Sequence, residues 1–225
     1  MKLSKSVLII GASGRTGNQI IQALSDTGKG VNITAFCRDP TKLDANVQSL
    51  CTQVVKGNAR SEQDLQHALE VSRADIVVVS IGNGDNTGKT DIRTSSAKAL
   101  TKVLSQPAFQ HVQAVVISSI GAGESHIKVG MGIGKMIEFQ LRHVLHDHNG
   151  QEEAFTKTMK GRTMIFRPTG LKEGKATGKV VMFGSNEKSQ TIETDRKDLA
   201  EYVAKQMLEE TDVSFGSTAN ITSVP

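Results

Sequence analysis

The chain has 225 residues, enough for one large α/β domain with a substantial core. Its 27 basic and 23 acidic residues leave a net charge of +4, scattered rather than gathered into the runs that bind nucleic acid or an anionic membrane, so neither is expected as a partner. No apolar segment approaches the ~18 residues that span a bilayer, and MKLSKS runs into a short strand without the pattern of a secretory leader, so a cytoplasmic protein is expected.

Residues 6–17 read SVLIIGASGRTG: an apolar strand, Val7 to Ile10, empties into Gly11, Gly14 and Gly17. A helix near 15–27 follows, with Ile20, Ile21 and Leu24 on one face. This is the pattern of a dinucleotide pyrophosphate site. One glycine allows the tight turn, one lets backbone N–H groups approach the phosphates, and one lets the helix pack on the sheet, whose positive end then holds the anion. Gly11, Ser13, Gly14, Arg15, Thr16 and Gly17 are the binding candidates here.

Further strands are predicted near 31–37, 52–56, 75–81, 112–118 and 162–167, with helices near 62–72, 92–105 and 136–160 between them. Ser61 caps the helix at 62, with Asp64 three residues on. A last amphipathic helix, Arg196 to Glu210, carries Leu199, Val203, Met207 and Leu208 on one side, and a short strand near 218–222 follows. Such alternation is what βαβ repetition produces. The expectation is a single α/β domain over 1–225, a Rossmann-type doubly wound parallel sheet in three αβα layers, with small substrate-binding elements near 121–135 and 168–192. Cys37 and Cys51, both at predicted strand positions, read as reduced, packed thiols and not as a disulfide or a zinc site.

Strand two ends in FCRDP, Phe36 to Pro40, where an acidic residue would bond the ribose 2′-hydroxyl of NAD. Arg38 stands there instead and favours the 2′-phosphate of NADP, with Arg15 as a clamp on the same phosphate from the other side. The alternative is a pair of solvated surface charges. Asp39 reads as a cap for the helix after Pro40.

With these residues in place, the chain resembles the atypical short-chain dehydrogenase/reductase superfamily. Within it, the chain is similar to the NmrA-like branch and to the biliverdin reductase B type of NADPH-dependent flavin reductase. The likeness covers nearly the whole length. It runs through GASGRTG, CRDP, GNA (Gly57 to Ala59), VVSIGNG (Val78 to Gly84), VVISSIG (Val115 to Gly121), TMIFRPTGL (Thr163 to Leu171) and IETDRKDLA (Ile192 to Ala200). The resemblance implies that Asn58 and Ala59 meet the adenine, and that Ser80, Ile81 and Gly82 pass under the ribose and nicotinamide. It also implies that Ser118 and Pro168 face the nicotinamide end.

The larger superfamily uses a Tyr and a Lys four residues later. Here those positions fall close to Leu145 and Asn149, and the only tyrosine is Tyr202, in the last helix. The resemblance implies Ser119 as the active-site serine and His148 as a catalytic histidine, able to polarise or protonate a substrate. Ser118 shares this task or simply caps the strand, and the alternative for His148 is a helix-surface residue beside His143 and His146. Spacings of three and two keep those three histidines off one helical face, so no metal is expected. A further histidine of the flavin reductase type is absent, because Thr169 and Gly170 follow Pro168.

The glycine-rich stretch Gly121 to Lys135 leaves no room for a regular element and is expected to form a mobile flap. Its GMGIGK ending lacks the hydroxyl of a phosphate loop, since Met136 follows Lys135. Ile127, Val129, Met131, Ile133 and Met136 point to an apolar or aromatic small-molecule substrate, or to a partner interface. An apolar stretch on the helix at 136–160 is compatible with a homodimer as well as a monomer.

Taken together, the readings converge on an NADPH-dependent oxidoreductase passing hydride to a quinone, flavin, enone or carbonyl acceptor. The alternative is an NADP(H)-binding redox sensor with little activity. A non-redox isomerase or lyase on the same fold fits less well, because the glycine loop is intact.

Overall fold

Short runs dominated by valine and isoleucine, apolar on both sides, form strands buried between two helical layers. The structure, a computed structural model, describes residues 4–209 and 211–225, together with every side chain among them except that of Met131. Glu210, expected to end the last helix, lies outside the described residues.

The elements run β1 (Ser6–Ile10), α1 (Arg15–Asp26), β2 (Asn32–Cys37), α2 (Ala45–Ser49), β3 (Gln53–Lys56), α3 (Glu62–Ser72), β4 (Ile76–Val79), α4 (Ile92–Leu104) and β5 (Gln113–Ile117). The chain continues through α5 (Ile133–Gln140), α6 (Arg142–Thr158), β6 (Thr163–Pro168), β7 (Gly170–Lys172), β8 (Val180–Phe183), β9 (Glu193–Asp195), α7 (Arg196–Glu209) and β10 (Thr218–Ser223).

The main sheet has 8 strands in the order β3-β2-β1-β4-β5-β6-β10-β8. Every pairing is parallel except β8 on β10. This is a doubly wound α/β fold, and its order reverses between β1 and β4, so a crevice opens beyond the ends of those two strands. Period-two alternation divides the core. Val7 and Ile9 face α1 and α7 with Ile20, Leu24, Val203 and Met207, whereas Leu8 and Ile10 face α3, α4 and α6 with Leu65, Leu100 and Phe155. Among the described residues no helix is long and apolar enough to cross a membrane.

Four expectations are corrected. The helix expected over 136–160 is two helices, and α5 begins at Ile133, inside the stretch read as having no regular element. The break falls at Leu141 (φ −90°, ψ 5°), where the Arg142 guanidinium donates to the Phe139 carbonyl at 2.9 Å and lies 4.6 Å from the Phe139 ring centre, capping the end of α5. Cys51 sits in the turn after α2, its thiol against the Val47 carbonyl, and not on a strand. The short elements α2, β7, β8 and β9 were not foreseen; β7 and β9 pair with each other outside the main sheet. Ser61 does cap α3, accepting from the Asp64 N–H at 3.2 Å, but the Asp64 carboxylate turns away to accept the Asn58 N–H at 2.7 Å.

Helices α4 and α6 are joined by one carboxylate. The N-cap residue of α4, Asp91, gives it no side-chain cap; Asp147, wholly buried on α6, accepts the backbone N–H groups of Arg93 (3.1 Å) and Thr94 (2.9 Å) instead. Asp147→Ala leaves two buried donors and the Arg93 charge without their acceptor, so an equilibrium urea titration should read a loss of roughly 3–5 kcal/mol. A loss under about 1 kcal/mol, the worth of an exposed pair, would show that water replaces the carboxylate.

Candidate functional site

The crevice is built around a backbone contact. Gly11 has φ 90°, and a Cβ there would stand 2.8 Å from the Ser80 carbonyl at the end of β4; a Cβ on Gly17 would stand 2.3 Å from the Gly11 carbonyl. Only glycine allows strand, loop and helix to close up this far. Gly14 is the N-cap of α1, which has no side-chain cap and no acidic residue in its first turn. The helix therefore presents its positive end to the crevice, and these residues fit a dinucleotide pyrophosphate.

One groove takes in Gly11, Ser13, Gly14, Arg38, Asn58, Ala59, Ser80, Ile81 and Gly82. The adjoining cavity shares Gly14 and Ser80 to Gly82 and adds Arg15, Thr16, Ser118, Ser119, His148 and Pro168. Asn58 holds its loop in shape, its side-chain oxygen accepting the Arg60 N–H at 3.0 Å. The two arginines expected to share one phosphate are separated: Arg38 borders the first groove, while Arg15 is turned into the second cavity, where it pairs with Asp85 and, at 3.7 Å, with Glu173. The reason is that two carboxylates lie on that side, and a third arginine, Arg196, reaches Glu173 as well, at 3.5 Å.

Ser118, Ser119 and His148 come together in the second cavity. Ser118 is buried; its hydroxyl donates to Glu152 at 2.5 Å and lies 3.4 Å from His148 Nδ1. Glu152 in turn accepts two bonds from Arg167, which also forks onto Glu124, so the serine rests on a buried ion-pair network. Ser119 is half-buried and donates to the neighbouring Ile120 carbonyl at 3.1 Å.

His148 is not a helix-surface residue: it is 6% exposed. Nor does it titrate near neutrality, because burial first and the nearby Arg93 charge second push it down to about 3, against a weaker pull from Gln151. His146, two residues earlier, is exposed, so the histidines do not converge. Leu145 is buried, and Asn149, at the other position of the missing Tyr-Lys pair, accepts the Gly123 N–H at 2.7 Å. Tyr202 packs edge-on against Phe166 at 6.0 Å, on the face of the sheet covered by α1 and α7, and burial pushes its phenol up to about 12.

A third cavity, of about 320 Å³, lies beside the second and shares Ser119, Thr169, Gly170 and Leu171 with it. Ile120, Ile127, Val129, Ile137, Leu141, Phe183 and Ile192 give it an apolar wall. Ile127 and Val129 thus line a pocket, but Ile133 and Met136 are 45% and 57% exposed on α5, outside it; the Met131 side chain lies outside the described residues.

Sequence reasoning missed Glu152, Arg196 and Arg93. For Glu152 a signal existed: it stands four residues after His148, hence on the same helical face, along with Leu145 and Phe155. For the arginines there was none, since a lone arginine at a helix start reads as solvated.

A family model described as NAD(P)H-binding matches residues 11–210. A comparison with curated proteins found no match. Among solved structures, a short-chain dehydrogenase/reductase from Veillonella parvula in complex with NADP superposes with a TM-score of 0.77 at 14% identity, covering 98% of this chain and 95% of that one. An anaerobillin reductase from Escherichia coli gives 0.72 at 15% identity, covering 96% of each chain. A Rossmann-fold NAD(P)-binding family protein from Shigella flexneri gives 0.71 at 19% identity, covering 98% and 94%. At these identities the likeness shows the shared fold.

The buried imidazole makes a pH prediction. An unfolded His148 takes up a proton as pH falls through its ordinary value of 6.5, whereas the folded protein does not until about 3, so its share of stability is full above 6.5 and is lost progressively between the two. Urea midpoints measured from pH 7 down to 4 should fall more steeply for the wild type than for His148→Gln; equal slopes would refute the assignment.

Proposed function

The chain belongs to this NAD(P)H-binding family, and on that premise we propose that it is an NADPH-dependent oxidoreductase that passes hydride to a small apolar or aromatic acceptor. The observation that carries the proposal is that the cavity beside the dinucleotide groove and the apolar cavity have Ser119, Thr169, Gly170 and Leu171 in common as lining. A groove for the cofactor alone would need no second, apolar compartment at its nicotinamide end. The reading takes the chain as one domain, with its acceptor held by the segments around 121–135 and 168–192.

Two features support NADP over NAD. The Arg38 guanidinium is exposed and makes no hydrogen bond or ion pair among the described residues, so its donors are free for a 2′-phosphate. Asp39, the one acidic residue that competes for the ribose, is committed locally: its carboxylate accepts from the Thr41 N–H at 3.2 Å and from the Thr41 hydroxyl at 2.7 Å, capping the turn after it.

The bound dinucleotide would supply the hydride. The chain's own part is position and exclusion of water. The end of α1 and the glycine loop hold the pyrophosphate, Ser80 to Gly82 and Pro168 fix the nicotinamide end, and the apolar wall holds the acceptor at short range. Ser118, anchored on Glu152, and the neutral His148 form the polar floor beside the reacting atoms. Since His148 stays unprotonated at physiological pH and Tyr202 lies on the other face, the proton comes from solvent.

A second reading, an NADP(H)-binding redox sensor, draws on one observation: the hydroxyl of Ser118 already donates to Glu152 and that of Ser119 to a carbonyl. The test is NADPH oxidation followed by its absorbance against quinones, flavins, enones and aldehydes, with a calorimetric titration of NADPH and NADH alongside. Turnover supports the oxidoreductase; tight NADPH binding with no turnover on any acceptor supports the sensor. Arg38→Asp should weaken NADPH by at least about tenfold, or about 1.4 kcal/mol, with little effect on NADH. Unchanged NADPH affinity would remove the NADP assignment.

A further inference from the structure

Arg93 is buried at the start of α4, 8% exposed, and yet borders the cavity that holds Ser118, His148 and Pro168. Its charge is only lightly matched. Asp147, its one ion-pair partner among the described residues, already accepts the backbone N–H groups of Arg93 and Thr94, and the guanidinium reaches Asp147 Oδ2 at 3.4 Å through Nη1. Buried Nε has no hydrogen-bond partner among the described residues, and Nη2 stands toward Gly82, 3.3 Å from where a Cβ on that residue would lie. An arginine is charged at every physiological pH and offers five N–H donors in a fixed fork. Leaving such donors buried and unspent is costly unless a ligand takes them up.

The surroundings narrow that ligand. Among the described residues no carboxylate is part of this cavity's lining; Asp85 and Glu173 lie at its edge, paired with its two other arginines, Arg15 and Arg196. Ser118 and Ser119 donate elsewhere and His148 carries no charge near neutrality, so Arg93, with Nε unpartnered among the described residues, is the strong donor with capacity to spare beside the nicotinamide end.

We propose that Arg93 binds the acceptor oxygen on which negative charge gathers as hydride arrives. The acceptor is then a conjugated carbonyl compound, a quinone or an enone, with its apolar body between Ile127, Ile137, Leu141 and Leu171. This rests on the oxidoreductase reading above. In the step, the acceptor's electrophilic carbon gains hydride as a new C–H bond while the C4–H bond of the dihydronicotinamide breaks, and the π electron pair of its conjugated system moves onto oxygen. Arg93 holds that oxyanion until water gives it a proton, and the dinucleotide is left oxidised. A preformed donor aimed at developing charge in a water-poor site is among the largest contributions a protein makes to catalysis.

The experiment compares wild type, Arg93→Gln and Arg93→Lys for NADPH affinity by calorimetry and for kcat and KM on a water-soluble quinone, with circular dichroism as a check of folding. Asp147 still caps α4 through backbone bonds in both variants. Arg93→Gln should lower kcat about 100-fold with NADPH affinity unchanged, and Arg93→Lys, which keeps the charge without the fork, should lose about tenfold. A kcat within about threefold of wild type in both variants, or a loss that appears in NADPH affinity instead, would overturn the assignment while leaving the oxidoreductase reading intact. Should Arg93→Gln fail to fold, Arg93→Lys decides alone. A wild type inactive on every acceptor would overturn both readings.

Discussion

The crevice exists because three pieces of backbone touch where no side chain fits. The Gly11 and Ala12 N–H groups both reach the Phe36 carbonyl, at 3.2 and 3.3 Å, tying the end of β1 to β2, while the Gly11 Cα side is pressed on Ser80 at the end of β4. From the other direction Gly17 brings α1 down onto the Gly11 carbonyl. The first turn of α1 is therefore aimed along the seam where the strand order reverses, and the groove, the cavity beside it and the positive end of the helix all take their places from that junction. A methyl group at either glycine would force the strands and the helix apart and dismantle the geometry on which every later contact depends.

The opposite wall is set by charge rather than by close packing. Arg167 at the end of β6 is almost wholly buried, yet it satisfies itself by forking onto Glu152 and Glu124, and Glu152 then holds Ser118. An arginine in this place would be intolerable unpaired. Paired, it orients the Ser118 hydroxyl through Glu152 and joins β5, α6 and β6 at one level of the cavity. Next to this network His148 stays neutral, so the floor of the site offers dipoles and hydroxyls but no mobile proton. Arg93, held by α4 and steadied from α6 through Asp147, adds a positive charge that is only partly matched.

Most of the fold was readable because the strands are continuous apolar runs and the glycines have a steric reason for their spacing. What escaped was short or tertiary. The segments GLK and ETD are three residues long and too polar to show any alternation. The break between α5 and α6 leaves the apolar periodicity unbroken and depends on Arg142 folding back over Phe139. At the site, the serines at the end of β5 and His148 could be picked out from the residues, but the state of the histidine could not: its suppressed basicity comes from burial against α4 and from an arginine more than fifty residues earlier. In the same way Arg15 looked like a partner for Arg38 until the positions of Asp85 and Glu173 were known.

Asp85, Arg15, Glu173 and Arg196 form an alternating row of charges, two of them lining the cavity, running from the loop after β4 over the start of α1 to the segment after β7 and the start of α7. Four elements far apart in the chain are thus linked by ionic contacts at this edge. Asp85 and Glu173 are 86% and 61% exposed, so each link is weak and screened by salt. A fastening of that kind unties at little cost, and an entering polyanion competes directly with the two carboxylates for the arginines. Occupation of the cavity by an anion is in that sense an exchange of counter-ions, and ionic strength acts on the row itself as well as on what binds beside it.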